Sequence, residues 1–214
     1  MPKNINIGII LDGNGRWATS KNQPRTFGHK KGVDALKNLV NEIVKQKLNI
    51  KWLSVFAFST ENWSRPQPEV KYLIKLLSDS LSNELINKLQ ELNIKFVWTG
   101  FDDKLPKNLL TKIKTIQTKT SKNTGLILNV VFNYSGRKDI EYGLKHKKLF
   151  SSNIPDIDLL IRTGNEKRIS NFLLYQLAYS EIIFEKTMWP NYKISNLKSN
   201  IIEYNKRHRR FGKI

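Results

Sequence analysis

The sequence contains no cysteine and few acidic residues. The absence of cysteine from 214 residues excludes a disulfide scaffold, zinc–thiolate sites, iron–sulfur clusters and thiol nucleophiles. Only 18 Asp and Glu residues oppose 37 Lys and Arg residues, so the formal net charge is +19. This excess of positive charge leaves three classes of ligand open: nucleic acid, an anionic membrane surface and phosphorylated small molecules.

Long apolar runs are also absent. No run approaches the roughly 18 residues that span a bilayer, and the N-terminal segment breaks too early to form a signal-peptide core. We therefore predict a cytoplasmic protein. The composition, 39% apolar and 26% charged, is typical of a globular protein, and the length predicts one domain over residues 1–214.

Arginine is scarce in a chain that is rich in lysine. Lysine is scattered over nearly every segment, which is typical of a general compositional drift. The arginines stand at Arg16, Arg25, Arg65, Arg137, Arg162, Arg168, Arg207, Arg209 and Arg210. Because a guanidinium can bind two phosphate oxygens at once, arginine at these few places indicates phosphate binding.

Strand patterns and helix patterns alternate along the chain. Apolar runs predict strands over residues 5–11, 52–58, 94–98, 126–132, 157–161 and 182–184. Helical spacing predicts a helix after Gly28, one long helix from Arg65 through Leu85, and helices over residues 105–121, 137–147, 170–179 and 196–209. This alternation predicts an α/β fold with a mostly parallel central sheet flanked by helices.

Four polar loops directly follow predicted strands. They cover residues 12–16, 59–65, 133–137 and 162–170. In a parallel sheet the binding site lies outside the carboxyl ends of the strands, so we expect these loops to form one cleft. In the first loop, Gly13 and Gly15 flank Asn14, which suits close approach of backbone N–H groups to a phosphate; a plain glycine turn explains the pattern equally well.

Two acidic residues are candidate metal ligands. Asp12 ends a buried strand, where it would either cap the next turn or bind Mg²⁺, an ion typically held by one or two carboxylates plus substrate phosphates. We favour the metal hypothesis for Asp12. Glu181 is either an ordinary surface acid or a second carboxylate for the same ion, and the residues leave that choice open.

Several motifs together resemble the cis-prenyltransferases, and they span almost the whole chain in the family's order. They are IILDGNGRWA from Ile9, RTFGHKKG from Arg25, FSTENWSRP from Phe58, NYSGR from Asn133, DLLIRTG from Asp158, RISNFLL from Arg168, AYSE from Ala178 and RRFG from Arg209. The chain departs from the family in the segment between Ile140 and Asp158, which is shorter than usual. That departure bears on product length more than on the reaction.

The resemblance implies an activity and its partners. A cis-prenyltransferase condenses isopentenyl diphosphate onto an allylic diphosphate such as farnesyl diphosphate, forms Z double bonds, and uses Mg²⁺. The product would be a long polyprenyl diphosphate such as undecaprenyl diphosphate, a precursor for cell-wall synthesis, which grows in a hydrophobic tunnel. The family also implies a homodimer, peripheral contact with the inner membrane and no nucleic-acid partner. The predicted helix bearing Leu73, Ile74, Leu77, Leu81 and Leu85 would either wall the tunnel or pack as ordinary core.

The resemblance also assigns roles to individual residues. Asp12 would bind Mg²⁺ with Glu181 contributing, and Asn62 would assist proton loss. The allylic diphosphate would be held by Gly13, Asn14, Gly15, Arg16, Arg25 and His29, with Trp17 also at the substrate. Isopentenyl diphosphate would be held by Arg162, Arg168 and Ser170. The catalytic region would be shaped by Ser59, Thr60, Glu61, Trp63 and Arg65. The tail residues Arg210 and Gly212 would reach the active site of the partner subunit in a dimer.

Two rival interpretations are weaker. The trans-prenyl synthases are all-helical and use D-D-x-x-D pairs, which this sequence lacks. A basic nucleic-acid-binding module would account for the net charge and the tail from Lys206 to Lys213. The aromatic residues, however, fall in buried-looking strands and loops that offer no platform for stacking bases.

Overall fold

A computed structural model describes residues 4–208 and contains one six-stranded sheet. Every strand pair is parallel, and the strand order is β3-β4-β2-β1-β5-β6. The strands are β1 (Ile5–Ile10), β2 (Ile50–Ser59), β3 (Lys95–Thr99), β4 (Ile127–Tyr134), β5 (Leu159–Arg162) and β6 (Glu181–Phe184). The predicted α/β class is confirmed, and the extent of the catalytic domain over residues 1–214 stays a prediction.

Helices connect the strands. They are α1 (Asn14–Thr19), α2 (Arg25–Lys45), α3 (Gln67–Ser80), α4 (Asn83–Glu91), α5 (Lys107–Lys119), α6 (Gly136–His146) and α7 (Ile194–Lys206). Two short 3₁₀ helices cover Thr60–Ser64 and Trp189–Asn191. Within residues 4–208, no helix is both long enough and apolar enough to cross a membrane.

The sheet is buried on both faces. Ile9 and Val55 belong to a large core on one face, whereas Ile10 and Phe56 belong to a smaller core on the other. Successive side chains of a strand point to opposite faces, so continuous apolar runs are what a doubly covered parallel sheet requires. For this reason the strands could be predicted from apolar runs in the sequence.

The strand order places a switch point at β1. From β1 the chain continues to β2, then to the edge strand β3 and back to β4, all on one side, and later to β5 and β6 on the other side. Where the connections turn to opposite sides of the sheet, a crevice opens at the carboxyl ends of the strands, and ligands of such sheets bind there. Asp12 stands two residues after the end of β1 and therefore lies at this crevice.

The long helix predicted from Arg65 through Leu85 is wrong, because two helices occupy that stretch. Helix α3 ends at Ser80, and Ser82 caps α4 by accepting the N–H of Leu85 at 3.2 Å. Serine favours such cap positions because its hydroxyl competes for backbone N–H groups. The apolar spacing continues across the break, which is why periodicity alone missed it.

The helix predicted over residues 170–179 is also wrong. Ser170, Asn171 and Leu173 have φ of 48°, 63° and 34°, and this left-handed backbone interrupts helical hydrogen bonding. The segment forms consecutive turns instead. At the other end of the chain, the short helix α1 begins at Asn14, where the sequence suggested only a loop, and α2 begins at Arg25 instead of after Gly28.

Candidate active site

The four predicted loops form one cleft of about 710 Å³ at the carboxyl ends of the strands. Asp12 follows β1, Asn62 lies in the 3₁₀ helix after β2, Arg137 lies in the first turn of α6 after β4, and Arg168 lies in the loop after β5. The convergence predicted from the sequence is therefore confirmed. The cleft concentrates five of the nine arginines: Arg25, Arg65, Arg137, Arg162 and Arg168.

Asp12 is surrounded by donors. Its Oδ2 accepts from Arg162 Nη2 at 2.8 Å, its Oδ1 accepts from the N–H of Gly13 at 2.6 Å, and Arg16 Nη2 lies 3.3 Å from Oδ1. Burial alone would raise the pKa of this carboxyl, but the hydrogen bond and charge of Arg162, with Gly13 and Arg16, hold it below its ordinary value. Asp12 is therefore ionised at neutral pH.

Arg162 joins Asp12 to the loop after β5. Its side chain is only 5% exposed, and Nη1 donates to the carbonyl oxygen of Arg168 and to Ser170 Oγ, both at 2.6 Å. As the last residue of β5 it pairs with Ile10 of β1, which is why it meets Asp12 across 150 residues. The buried Nε has no hydrogen-bond partner among the described residues.

Glycines of the first loop allow close packing. Gly13 has φ of 102°, which disfavours any side chain there. A Cβ on Gly15 would lie 2.6 Å from Cζ of Arg25, so the guanidinium lies directly against the glycine backbone. Asn14 donates from Nδ2 to the carbonyl oxygen of Leu11 at 3.2 Å, and its buried Oδ1 has no partner among the described residues.

The sequence analysis did not identify Glu69 as a site residue. This acid lies in the first turn of α3, and its side chain is 12% exposed. It contacts Arg25 Nε at 3.3 Å, His29 Nε2 at 3.3 Å and Arg65 Nη1 at 3.2 Å. A sequence signal existed, because Glu69 stands four residues after Arg65 and follows the Arg-Pro pair at the helix start.

Burial and charge set the protonation of this cluster. Burial lowers the pKa of His29, and the charges of Arg65 and Arg25 lower it too, against the opposing effect of Glu69. His29 is therefore neutral near pH 7. Burial would raise the pKa of Glu69, but Arg25, Arg65 and His29 together hold it below 4.5.

We expect Glu69→Gln to lower the free energy of unfolding at pH 7 by about 1–3 kcal/mol, because the carboxylate is itself largely buried and accepts hydrogen bonds from Arg25 and Arg65. Since the folded-state pKa of Glu69 lies below 4.5, this stabilisation is complete above that value and is lost as the pH falls through the folded pKa. Urea unfolding at pH 7 and at ~pH 3 measures it. Glu141→Gln, an exposed acid on α6, is the control. A deficit equal at both pH values would contradict the electrostatic role.

The segment after β2 is held by its own hydrogen bonds. Asn62 Oδ1 accepts the N–H of Ser59 at 3.2 Å, and Trp63 Nε1 donates to Asn133 Oδ1 at 2.7 Å. Ser59, Glu61, Asn62 and Arg65 line the cleft. Among the described residues that the resemblance places at the substrate, five do not line it: Gly13, Arg16, Trp17, Thr60 and Trp63. Trp17 instead donates from Nε1 to Asn191 Oδ1 at 2.8 Å.

Glu181 lies at the other end of the sheet from Asp12. It starts β6, where it pairs with Leu159, and Leu159 in turn pairs with Ile7 of β1. With a rise of about 3.3 Å per residue, the strand from Ile7 to Ile10 already spans roughly 10 Å before Asp12 is reached. Glu181 instead pairs with Arg207 Nη1 at 2.8 Å. Within one chain the two carboxylates are too far apart to share an ion.

Two other predicted site residues, Arg210 and Gly212, lie outside the described residues.

Within residues 4–208, no group of three or more His, Asp or Glu side chains lies close enough together to hold a metal ion. Any ion at the cleft would therefore rely on Asp12 together with ligand oxygens.

A second cavity, of about 470 Å³, adjoins the cleft and is mostly apolar. It lies between α2, α3, α4 and the sheet, and its wall includes Leu73, Leu77, Leu81 and Leu85 of the predicted stripe. All five residues of the stripe belong to or pack against the large core, and Ile74 alone among them does not line the cavity. Residues that line both cavities are Leu11, Asn14, His29, Ala57 and Leu73. A molecule with a charged head and a hydrocarbon tail could thus occupy both cavities at once.

Sequence comparison identifies relatives along the whole chain. The Prenyltransf family, described as "Putative undecaprenyl diphosphate synthase", matches residues 10–212. An isoprenyl transferase of Streptococcus pneumoniae strain R6 is 42% identical over 231 residues, covering 96% of this chain and 90% of the relative. An isoprenyl transferase of Streptococcus pyogenes serotype M1 is 41% identical over 239 residues, covering 100% and 94%.

Solved structures share the fold. Lavandulyl diphosphate synthase from Lavandula x intermedia, in complex with dimethylallyl diphosphate, has a TM-score of 0.87 at 28% identity, covering 97% of this chain and 98% of its own. A probable undecaprenyl diphosphate synthase from Campylobacter jejuni has a TM-score of 0.80 at 31% identity, covering 100% of both chains. Since family, relatives and structures agree over nearly the full length, this chain belongs to the undecaprenyl diphosphate synthase family of prenyltransferases.

Proposed function

We propose that this chain adds isopentenyl diphosphate units to an allylic diphosphate, with farnesyl diphosphate as the starter, to give a long Z-polyprenyl diphosphate of the undecaprenyl type. One observation carries the proposal: the arginine-rich cleft and the apolar cavity share five lining residues. The cleft suits diphosphates, since guanidinium groups bind phosphate oxygens in pairs. The cavity suits a hydrocarbon, since burying apolar surface is favourable by about 25 cal/mol per Å².

The two diphosphates would occupy different halves of the cleft. The allylic diphosphate would bind at the first loop and the start of α2, where Gly13, Asn14, Gly15, Arg16, Arg25 and His29 lie. The second diphosphate, that of isopentenyl diphosphate, would bind at the loop after β5, through Arg162, Arg168 and Ser170. Asp12 lies between the two halves, because Arg162 and Arg16 both contact its carboxylate.

The cleft fits a magnesium ion at Asp12. The carboxylate is ionised, it borders the cleft, and one carboxylate plus phosphate oxygens and water is a common Mg²⁺ environment. When bound, Mg²⁺ neutralises negative charge that develops on the departing diphosphate. Asp12 would hold the ion, and the metal-binding role of Glu181 has no support from its position beside Arg207.

The chain's own residues account for the rest of the reaction. The allylic C–O bond breaks and diphosphate departs, with the arginines of the cleft stabilising its charge. The alkene of isopentenyl diphosphate then attacks the allylic carbon, and loss of a proton creates the new double bond. Asn62 lines the cleft and would assist that proton loss, with its side chain oriented by the N–H of Ser59.

A single incubation tests the function. Purified protein with Mg²⁺, farnesyl diphosphate and labelled isopentenyl diphosphate should yield labelled polyprenyl diphosphates on chromatography. Farnesyl diphosphate with Mg²⁺ should also raise the melting temperature, whereas an oligonucleotide at physiological salt should not. Labelled product absent under these conditions, with folded protein, would overturn the proposal. Stabilisation by oligonucleotide alone would favour the nucleic-acid-binding alternative.

The assembly and location of the enzyme belong to the same proposal. We expect a cytoplasmic homodimer that makes peripheral contact with the inner membrane, because its product is a membrane lipid. The net charge of +19 would favour an anionic lipid surface. Sedimentation in solution measures the dimer, and flotation with anionic vesicles at two salt concentrations measures the membrane contact.

Arg168→Lys should separate the two diphosphate sites. The substitution keeps the charge but loses the planar fork, so the KM for isopentenyl diphosphate should rise about tenfold. The KM for farnesyl diphosphate should change less than about twofold, because Arg168 lies on the loop after β5 and its partner Glu166, at 2.5 Å, keeps its own ion pair with Arg16 at 3.2 Å. Steady-state kinetics with each substrate varied measures both. Equal increases in both KM values would show that the sites are assigned wrongly.

Leu77→Trp should shorten the product. Leu77 lines the apolar cavity from α3, and a larger side chain would occupy space that the growing hydrocarbon needs. The first condensations should continue while the longest products disappear from the chromatogram. Ile202→Trp, at an exposed position of α7, is the control and should leave the product distribution unchanged. An unchanged distribution in Leu77→Trp would contradict the proposed role of the cavity.

A further inference from the structure

Asn171 is a residue to which neither the motifs nor the proposed reaction assigns a role. It follows Ser170 directly and lines the cleft. Its φ of 63° lies in the left-handed region, where asparagine is tolerated better than most residues. With Ser170 at φ of 48°, it forms a sharp turn in which neighbouring side chains contact different parts of the cleft.

Asn171 satisfies two backbone donors at the start of α6. Its backbone carbonyl oxygen accepts a hydrogen bond from the N–H of Gly136, and its side-chain Oδ1 accepts one from the N–H of Arg137, both at 2.9 Å. The first N–H groups of a helix have no partner within the helix, so these bonds fix the turn against α6. The packing is close, because a Cβ on Gly136 would lie 3.0 Å from the carbonyl oxygen of Asn171.

The amide nitrogen of Asn171 links the turn to the segment after β2. Nδ2 donates to Glu61 Oε1 at 2.8 Å and to Ser135 Oγ at 2.6 Å. All the side-chain hydrogen-bonding groups of Asn171 are thus engaged: one acceptor oxygen and two amide protons. Glu61 directly precedes Asn62, and Ser170 directly precedes Asn171 and contacts Arg162 at 2.6 Å.

We propose that Asn171 is a positioning residue that couples the isopentenyl diphosphate half of the cleft to the catalytic segment 59–65 through its hydrogen bond to Glu61. This inference rests on the proposed function. Asn171 keeps Ser170 beneath Arg162 on one side and holds the 3₁₀ helix at Glu61 on the other. Loss of the link would let the two substrates bind while their reacting atoms lie at the wrong separation, which is costly for a bimolecular step.

An exchange of amide and carboxylate tests the link. Asn171→Asp keeps the oxygen that accepts from Arg137 but places a carboxylate against Glu61. We expect kcat/KM for isopentenyl diphosphate to fall about tenfold or more, with the KM for farnesyl diphosphate changed less than about twofold. In the Glu61→Gln background an amide again faces a carboxylate. There, Asn171→Asp should lower kcat/KM for isopentenyl diphosphate by less than about threefold. An equal fall in kcat/KM for isopentenyl diphosphate in both backgrounds would overturn the inference.

Asn171→Gly is the control for the backbone. Glycine adopts the left-handed conformation readily and keeps the carbonyl oxygen that accepts from Gly136, so the protein should fold. It lacks the amide, so kcat/KM for isopentenyl diphosphate should fall and Glu61→Gln should not restore it. Unaltered kinetics in Asn171→Gly, or an equal rise in the KM of both substrates, would also overturn the inference.

The outcome for the inference can be separated from that for the proposed function. A wild-type protein that transfers no prenyl group would refute the function. The same four proteins, namely the wild type, the two single variants Asn171→Asp and Glu61→Gln, and the double variant, would then be compared by denaturant unfolding. The destabilisation by Asn171→Asp should be smaller in the Glu61→Gln background, and a background-independent destabilisation would refute the coupling.

Discussion

Asp12→Ala is expected to lower kcat by at least about 100-fold. A tenfold loss corresponds to only ~1.4 kcal/mol of barrier, and the proposed metal ligand, which also binds Arg162, should account for more than that. The rate of incorporation of labelled isopentenyl diphosphate measures the effect. Retention of more than about a tenth of wild-type activity would count against the metal role.

A second variant separates the loss of catalytic rate from the loss of folding stability. Removing the carboxylate leaves the Arg162 guanidinium, 5% exposed, without its acidic partner, and an unpaired buried charge is destabilising. Asp12→Asn keeps one acceptor oxygen, for Arg162 or for the N–H of Gly13, while losing the negative charge. It should lose less stability than Asp12→Ala and still lose about 100-fold in kcat. Asp79→Asn, an exposed acid on α3, is the control.

Arg162→Lys is expected to lower kcat/KM for isopentenyl diphosphate by about 30-fold or more. The guanidinium donates to Asp12, to Ser170 and to the carbonyl oxygen of Arg168 at once. A lysine ammonium at this buried position keeps the positive charge. It lacks the planar guanidinium group whose nitrogens reach all three acceptors. Hydrogen bonds to charged groups contribute roughly 1.5–3 kcal/mol each, so losing even one accounts for the expected size.

Arg207→Lys provides a matched control for Arg162→Lys. Arg207 also pairs with carboxylates, Glu181 at 2.8 Å and Glu203 at 2.5 Å, but at the end of the sheet opposite the cleft. Steady-state kinetics should show less than about a twofold change for this variant, since Arg207 does not line the cleft. If both lysine variants lose activity to the same extent, the special position of Arg162 is refuted.

Much of the fold was predictable because burial leaves a local signature. Strands covered on both faces must be apolar at consecutive positions, so β1 and β4 were recognised within one or two residues of their observed bounds. The polar loops could be assigned to one cleft, because parallel strands bring their carboxyl ends to the same edge. The scarcity of arginine also marked the cleft, where five of the nine lie.

The errors occurred where a few hydrogen bonds outweigh periodicity. Ser82 divides the predicted long helix by capping α4, and Asn171 takes a left-handed backbone that its hydrogen bond to α6 stabilises. Both residues are locally compatible with a helix or a turn. The partner of Ser82 is local, since it is Leu85. For Asn171 the distinction depends on Gly136, which is remote in sequence, and no local pattern contains that information.

The sequence by itself determined the succession of the six strands, the family and the loops that form the cleft. Only the tertiary structure decided which charges meet: Asp12 with Arg162 across 150 residues, Glu69 with Arg25 and His29, and Glu181 with Arg207 at the far end of the sheet. The physical reason is that burial acts on each residue separately and repeats with the helix or strand period. A specific ion pair, in contrast, requires two distant segments to be placed within a few ångströms of each other, and strand order and register set that distance.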